Sequence, residues 1–69
     1  MYSVWLILDK NTKEEFIIWG DEIKVEDFRE ENQHRLLGSG FDGITKEEMS
    51  TTIADFKQKH YKAKIYECK

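Results

Sequence analysis

A glycine-rich segment is the part of this sequence that most directly suggests chemistry. Residues 38–43, Gly-Ser-Gly-Phe-Asp-Gly, have the spacing G-x-G-x-x-G and precede a predicted helix. Glycines let a backbone approach a phosphate, and a helix N-terminus attracts anions. The dinucleotide fingerprint also needs a firm preceding strand inside a parallel βαβ unit, whereas only Leu36-Leu37 precedes these glycines. Because Asp42 would also face an incoming phosphate, we interpret the segment as a turn-rich loop before a capped helix.

Metal binding and nucleophilic catalysis have few candidate residues. His34, His60 and Cys68 lack the close paired spacing of a structural zinc site. Cys68 lies next to the C-terminus, where chains fray, and a reactive cysteine needs a fixed electropositive environment. The adjacent carboxylates Glu14-Glu15 and Glu30-Glu31 would point to opposite faces in a strand. We therefore predict no catalytic residue, no metal and no cofactor, and a protein that is not an enzyme.

A basic and aromatic pattern near the C-terminus suggests nucleic-acid binding as an alternative. The residues concerned are Tyr61, Lys62, Lys64 and Tyr66. Sheets with exposed aromatic and cationic side chains can stack bases and follow a phosphate backbone. A protein with a pI of about 5.3 lacks the overall basic charge expected of such a binder. Nucleic acid is therefore the alternative partner, and these four residues are the alternative site.

An acidic segment favours a protein partner instead. The predicted protein-binding residues are Trp19, Asp21, Glu22, Glu26, Asp27, Phe28, Glu30 and Glu31. Carboxylates can occupy a basic groove that normally holds phosphates, because the same lysines and arginines accept either anion. Small size, an acidic surface and a lack of catalytic groups are shared with many inhibitors encoded by phages and plasmids, an analogy of composition alone. We predict a non-catalytic protein-binding protein that blocks a basic, nucleic-acid-binding surface of a host protein; a small enzyme or enzyme subunit is the alternative from another class.

Length and composition limit the class of protein. The chain has 69 residues and a net charge of −3, with nine acids against four bases in residues 1–31. A domain of about this size buries only roughly 60% of the surface that its unfolded chain exposes. A single cysteine fits a reducing compartment, and the N-terminal apolar run is too short to span a bilayer and lacks the basic flank of a signal peptide. We expect one small cytoplasmic domain without a membrane partner.

Two apolar runs, residues 2–8 and 14–19, predict a β-hairpin. A turn centred on Asn11-Thr12 would pair Val4 with Trp19 and Leu6 with Ile17 on one face, and Trp5 with Ile18 and Ile7 with Phe16 on the other. Neither run alternates apolar with polar residues, so both faces of the hairpin need to be covered. The cover comes either from the rest of the chain or from a partner, and we expect a homodimer or a tight protein partner.

The clearest helix covers residues 46–59. Thr45 and Glu48 form a capping box, and Met49, Ile53 and Phe56 recur on one helical face. Residues 61–68 then alternate, as in a half-exposed edge strand whose lysines prevent pairing with other sheets.

Residues 21–44 form a segment of mixed character. The Gly20-Asp21 link is typical of a type II′ hairpin turn, which would add a third strand through Ile23 and Val25. A short helix with Val25, Phe28, Leu36 and Leu37 on one side is the other interpretation, and either structure would cover the hairpin face left bare by the helix at 46–59. The predicted fold is α+β: a small antiparallel β-sheet, made of the N-terminal hairpin and the C-terminal strand, packs against one main helix, with a mixed segment at 21–44.

Overall fold

The computed structural model describes all residues, 1–69, and contains four strands and two helices. In chain order these are β1 (Tyr2–Asp9), β2 (Glu15–Asp21), α1 (Glu22–Glu31), β3 (Leu36–Ile44), α2 (Lys46–Lys59) and β4 (Lys64–Cys68). The strands form one sheet in the order β3-β1-β2-β4. β1 is antiparallel to β2 and β3, whereas β4 is parallel to β2. The predicted α+β class is confirmed, with a mixed sheet.

The N-terminal hairpin has the predicted register. Val4 pairs with Trp19 and Trp5 with Ile18, so one tryptophan lies on each face of the sheet. In the turn, a side-chain oxygen of Asp9 accepts hydrogen bonds from the main-chain nitrogen atoms of Asn11 and Thr12, at 2.8 Å and 3.3 Å. This local bonding is the type by which Asp stabilises turns.

Each face of the sheet carries one helix and one apolar core. On the face covered by α2 (the α2 face), the buried residues are Val4, Ile17, Met49 and Ala63. On the face covered by α1 (the α1 face), they are Ile7, Ile18, Val25 and Cys68. The expectation that residues 21–44 cover the second hairpin face is therefore confirmed, since α1 lies in that segment.

The chain connections explain why the helices lie on opposite faces. α1 connects β2 to β3 and α2 connects β3 to β4, and these three strands are parallel to one another. The two crossovers run in opposite directions across the sheet. Crossovers between parallel strands have nearly always the same hand, so reversing the direction places the second helix on the other face.

The expectation of a purely antiparallel sheet is wrong for the C-terminal strand. α2 has 14 residues, a length of about 21 Å at about 1.5 Å per residue, and it returns the chain to the end of the sheet where β3 begins. β4 must then run parallel to β3. The strand also begins at Lys64 rather than at residue 61, because a turn precedes it. The Lys57 ammonium group donates to the carbonyl oxygens of Tyr61 and Ala63 at 2.8 Å and 2.6 Å and stabilises that turn.

A third strand through Ile23 and Val25 does not form, because α1 begins directly after β2. The Asp21 carboxylate caps this helix by accepting from the main-chain nitrogen of Ile23 at 3.0 Å. Val25 is fully buried on the sheet, and Phe28 packs against the same core. Burial of these two side chains favours the helix over the hairpin.

The glycine-rich segment is part of β3, so the prediction of a turn-rich loop is wrong. Gly40 pairs with Trp5 and Gly38 with Ile7 across the β1–β3 ladder. A Cβ atom on Gly40 would lie 2.5 Å from Cγ of Trp5, and one on Gly38 would lie 2.8 Å from Cγ2 of Ile7. The two glycines leave space for side chains of the central strand. The G-x-G spacing thus reflects packing on one face of a strand.

Helix α2 has the predicted bounds and the predicted cap. The Thr45 hydroxyl accepts from the main-chain nitrogen of Glu48 at 3.2 Å, and the Glu48 carboxylate accepts from that of Thr45 at 3.0 Å. Neither α1 nor α2 combines the length and the apolar character that crossing a membrane requires.

Candidate protein-binding surface

Four exposed carboxylates of α1 form the acidic face: Glu26, Asp27, Glu30 and Glu31. The opposite side of the helix lies on the sheet, where Val25 is buried and Phe28 and Arg29 are half-buried. Residues three and four positions apart share one side of a helix. Val25, Phe28 and Arg29 have this spacing and face the sheet, so the acids lie on the other side of the helix.

An exposed isoleucine lies among these acids. Ile23 is 64% exposed, and Glu26, Asp27 and Glu30 follow it by three, four and seven positions. At this spacing the four side chains share one side of the helix. Protein interfaces combine an apolar core with a polar rim, and Ile23 with the acids around it forms a small patch of that composition. Ile23 is not among the binding residues predicted from the sequence, because its apolar character is also that of a strand or core residue.

The two aromatic residues among the predicted protein-binding residues do not belong to the acidic face. Trp19 is half-buried on the α2 face and packs against the core around Val4 and Ile17. Phe28 packs against the core of the α1 face, and its ring centroid lies 5.4 Å from that of Tyr66. Of the predicted acids, Asp21 caps α1, and Glu22 is half-buried in its first turn.

A groove runs between α1 and β3 beside the acidic face. It has a volume of about 350 Å³, and Glu26 and Glu30 contribute to its α1 side. A second hollow of about 270 Å³ is lined by Glu22, Ile23, Glu26, Arg29 and Asp42. Each hollow is thus lined by at least two carboxylates and by the side chain of Arg29. Each hollow offers oxygen atoms to a cationic side chain of a partner.

The single arginine of this region, Arg29, packs against an aromatic ring of the same chain. Its guanidinium carbon lies 3.3 Å from the centroid of the Trp5 ring, in a cation–π contact. The indole nitrogen of Trp5 donates to Asp42 at 2.9 Å, and the Ser3 hydroxyl donates to the same carboxylate at 2.7 Å. These two bonds hold the pKa of Asp42 below its ordinary value, with a smaller contribution from Arg29. Asp42 is therefore ionised, and together with the carboxylates of α1 it outweighs the positive charge of Arg29, so the region has a negative surface.

The residues of the alternative, nucleic-acid site are divided between a turn and a strand. Tyr61 and Lys62 lie in the turn before β4, whereas Lys64 and Tyr66 lie on the α1 face of the strand. The Lys64 ammonium group forms an ion pair with Glu14 at 2.8 Å, and the Tyr66 ring packs on Phe28. The structure does not place the four side chains on one open surface.

The histidines and the cysteine lie in separate parts of the molecule. Nδ1 of His60, at the end of α2, lies 3.2 Å from a carboxylate oxygen of Glu15. Cys68 is buried on the α1 face, and burial raises the pKa of its thiol. His34 is exposed between α1 and β3. No group of three or more His, Cys, Asp or Glu side chains has an arrangement suited to a metal ion.

Comparisons of the chain with protein-family models, with curated protein sequences and with solved structures give no match.

Proposed function

We propose that this protein is a non-catalytic protein-binding domain that uses the acidic face of α1 to occupy a basic, nucleic-acid-binding surface of another protein. The observation that carries the proposal is the arrangement of Glu26, Asp27 and Glu30 around the exposed Ile23. Lysines and arginines that bind phosphates also bind carboxylates. An acidic helix with an apolar centre offers both the charge and the contact area that such a surface accepts.

The position of the acids along α1 gives a second argument. Glu30 and Glu31 are the last two residues of the helix, where the helix dipole is negative. Acidic side chains there are unfavourable by about 0.3–1 kcal/mol each. Departures from local preference are expected at functional sites. A binding role for these two carboxylates accounts for the departure.

The nucleic-acid alternative has less support from the surroundings of its residues. Lys64 forms an ion pair with Glu14, and Tyr66 packs against Phe28 of the acidic helix. A phosphate backbone following β4 on this face would approach the carboxylates of α1, and like charges repel it. The protein partner is therefore the proposal, with nucleic acid as one outcome of the test.

The test compares two double charge reversals of equal net effect. Glu26→Lys with Glu30→Lys alters the acidic face, and Asp55→Lys with Glu67→Lys alters exposed acids elsewhere. Each protein is immobilised and exposed to a lysate of the source cells, and retained proteins are identified by mass spectrometry. We expect a partner that the wild type and the control variant retain and the α1 variant loses. An excess of duplex DNA or of RNA should displace this partner, because a phosphate backbone competes for the same basic surface.

Kinetic measurements on the purified partner make the test quantitative. Reversal of Glu26 and Glu30 should slow association by about tenfold or more at low salt and flatten its salt dependence, since charge steering acts on the rate of encounter. Equal loss with both double variants would contradict the proposal, because only net charge would then matter. If binding is lost when Lys62 and Lys64 are replaced by Glu but not when the acids of α1 are reversed, the site lies at β4 and nucleic acid is the favoured partner.

A further inference from the structure

The two edges of the sheet are protected very differently. The edge strand β4 carries Lys64 and Glu67 within five residues. The edge strand β3 has nine residues, and its segment 36–41, Leu-Leu-Gly-Ser-Gly-Phe, contains no ionisable side chain. Charged residues, above all lysines, are the common protection of exposed edges, and a long uncharged edge invites another strand. The β3 edge lacks this protection.

The main-chain groups available at this edge can be identified from the register. The nitrogen of Lys10 donates to the carbonyl oxygen of Arg35 at 2.8 Å, one step beyond the Asp9–Leu36 pair. Hydrogen-bonded and non-hydrogen-bonded pairs alternate along an antiparallel ladder. Every second residue of β3 after Arg35 therefore bonds β1: Leu37, Ser39 and Phe41. The N–H and C=O groups of Gly38 and Gly40 point away from the sheet and are free, whereas the N–H of Leu36 already donates to the carbonyl oxygen of Asn32 at 3.1 Å.

The exposed apolar side chains of β3 lie on the α2 face. Leu37 is 56% exposed and Phe41 is 55% exposed, and they pair with Leu8 and Val4 of β1. Ser39 lies midway between them on the same face. Beyond Phe41, the ladder contains a bulge, where Asp42 and Gly43 lie opposite the single residue Ser3. The regular part of the free edge is therefore the segment 36–41.

We propose that β3 pairs antiparallel with β3 of a second copy of this chain, about a twofold axis that passes between the two Ser39 residues. In this register Gly38 faces Gly40 of the second copy, and both residues have free main-chain groups to exchange hydrogen bonds. Leu37 faces Phe41 of the second copy as a non-hydrogen-bonded pair, in which side chains lie closest.

Two copies of β3 fit together best when the twofold axis lies at Ser39, and other registers fit less well. Moving the axis to Gly38 or to Gly40 keeps the hydrogen bonds but places Leu37 opposite Ser39 or Gly43. A shift of the register by a single residue turns the side chains to the wrong face. The axis at Ser39 alone pairs both exposed apolar residues, and it brings no like charges together within 36–41. The edge is thus complementary to itself, which an unrelated strand would match only by coincidence.

This inference does not depend on the proposed function, since it rests on the main-chain groups of β3 and on side chains of the α2 face, and it involves a different partner. Sedimentation over a range of concentrations tests it first, with the unmodified full chain. We expect a monomer–dimer equilibrium. Ser39→Lys places two like charges at the axis and should raise the dissociation constant at least tenfold. Ile65→Lys is the matched control, because Ile65 is 50% exposed on the same face of the other edge strand; it should leave the dissociation constant unchanged.

Disulfide formation tests the register. The Cα atoms of a non-hydrogen-bonded pair are about 4.5 Å apart, within the range of about 4.4–6.8 Å that a disulfide needs. Ser39→Cys should therefore form a covalent dimer under mild oxidation, with the 39–39 linkage identified by peptide mass mapping. Leu37→Cys should not, because the two copies of that residue are offset by four positions along the strands. The wild type, with buried Cys68, shows the background.

Three results would overturn the proposal. One is a wild-type protein that stays monomeric at all concentrations, which would leave the edge to a strand of another protein. Another is a dimer that Ile65→Lys dissociates and Ser39→Lys does not, which would place the contact at β4. The third is crosslinking of Leu37→Cys as fast as that of Ser39→Cys, which would exclude this register.

Discussion

Replacing Gly40 by alanine tests whether the glycine-rich segment serves packing. A Cβ atom at this position would lie 2.3 Å from the carbonyl oxygen of Val4 and 2.6 Å from Cα of Trp5. Van der Waals contact is at about 3.5 Å, so the two strands would have to separate by about 1 Å at this point. Both contacting atoms belong to the main chain of β1, a central strand, and cannot rotate away. Overpacking of this kind costs about 1–3 kcal/mol of unfolding free energy.

The assay is urea denaturation followed by circular dichroism and tryptophan fluorescence. Gly40→Ala should lower the midpoint without changing the slope, and a loss of about 1 kcal/mol corresponds to roughly 4–8 °C in Tm for a domain of this size. The control is Ser39→Ala, an exposed neighbour on the other face of the same strand, which should stay within about 0.5 kcal/mol of wild type. Measurements at several concentrations separate stability from association. A Gly40→Ala protein as stable as Ser39→Ala would refute the packing argument.

Two further predictions concern the helix cap and the response to acid. Thr45→Ala should cost about 0.5–2 kcal/mol of unfolding free energy, measured in the same way, because the Glu48 amide loses its acceptor; a neutral result would contradict the role of the capping box. The hydrogen bonds of Ser3 and Trp5 lower the pKa of Asp42 from 3.8, so folding favours the ionised form of this carboxyl group. The resulting stability is present above the ordinary pKa and is lost as the pH falls through the lower pKa of the folded state. Asp42→Asn should therefore weaken the decline of Tm with falling pH below about pH 4, and an unchanged decline would show that other carboxylates determine it.

The parts of the fold that local sequence determines were predictable. The hairpin register follows from two apolar runs and an Asp-Asn-Thr turn, and the structure has the expected pairs. Helix α2 begins at a capping box and carries its apolar residues at helical spacing. Both elements form through contacts between residues close in the chain, so their patterns are visible without knowledge of the tertiary structure.

Helix α1 and strand β3 were not predictable in the same way, because tertiary contacts determine them. α1 has one fully buried residue, Val25, within a largely charged segment. β3 contains three glycines, which have low strand propensity. Gly38 and Gly40 are favourable there because they face Ile7 and Trp5 across the ladder. That pairing involves residues more than thirty positions apart, and no local pattern indicates it.

The candidate site was predictable in its charge but not in its apolar part. The four acids of α1 are exposed and lie together, because they share the side of the helix opposite Val25. Trp19 is close to these acids in sequence, yet it lies on the other face of the sheet since one position along a strand reverses the side chain. Ile23 has the apolar character of a strand or core residue, and only its position on the outer side of α1 makes it a surface residue.

The two proposed surfaces are compatible in one molecule. A twofold axis perpendicular to the sheet keeps both α1 helices on the same side of the joined sheet. With neighbouring strands about 4.8 Å apart, β1 of one copy lies about 14 Å from β1 of the other, and β2 about 24 Å from its counterpart. α1 packs mainly over β1 and β2, so the two helices are separated by more than the screening length of about 8 Å at physiological salt. Their repulsion does not oppose the dimer, and a partner with two basic sites at this spacing would gain avidity by binding both faces.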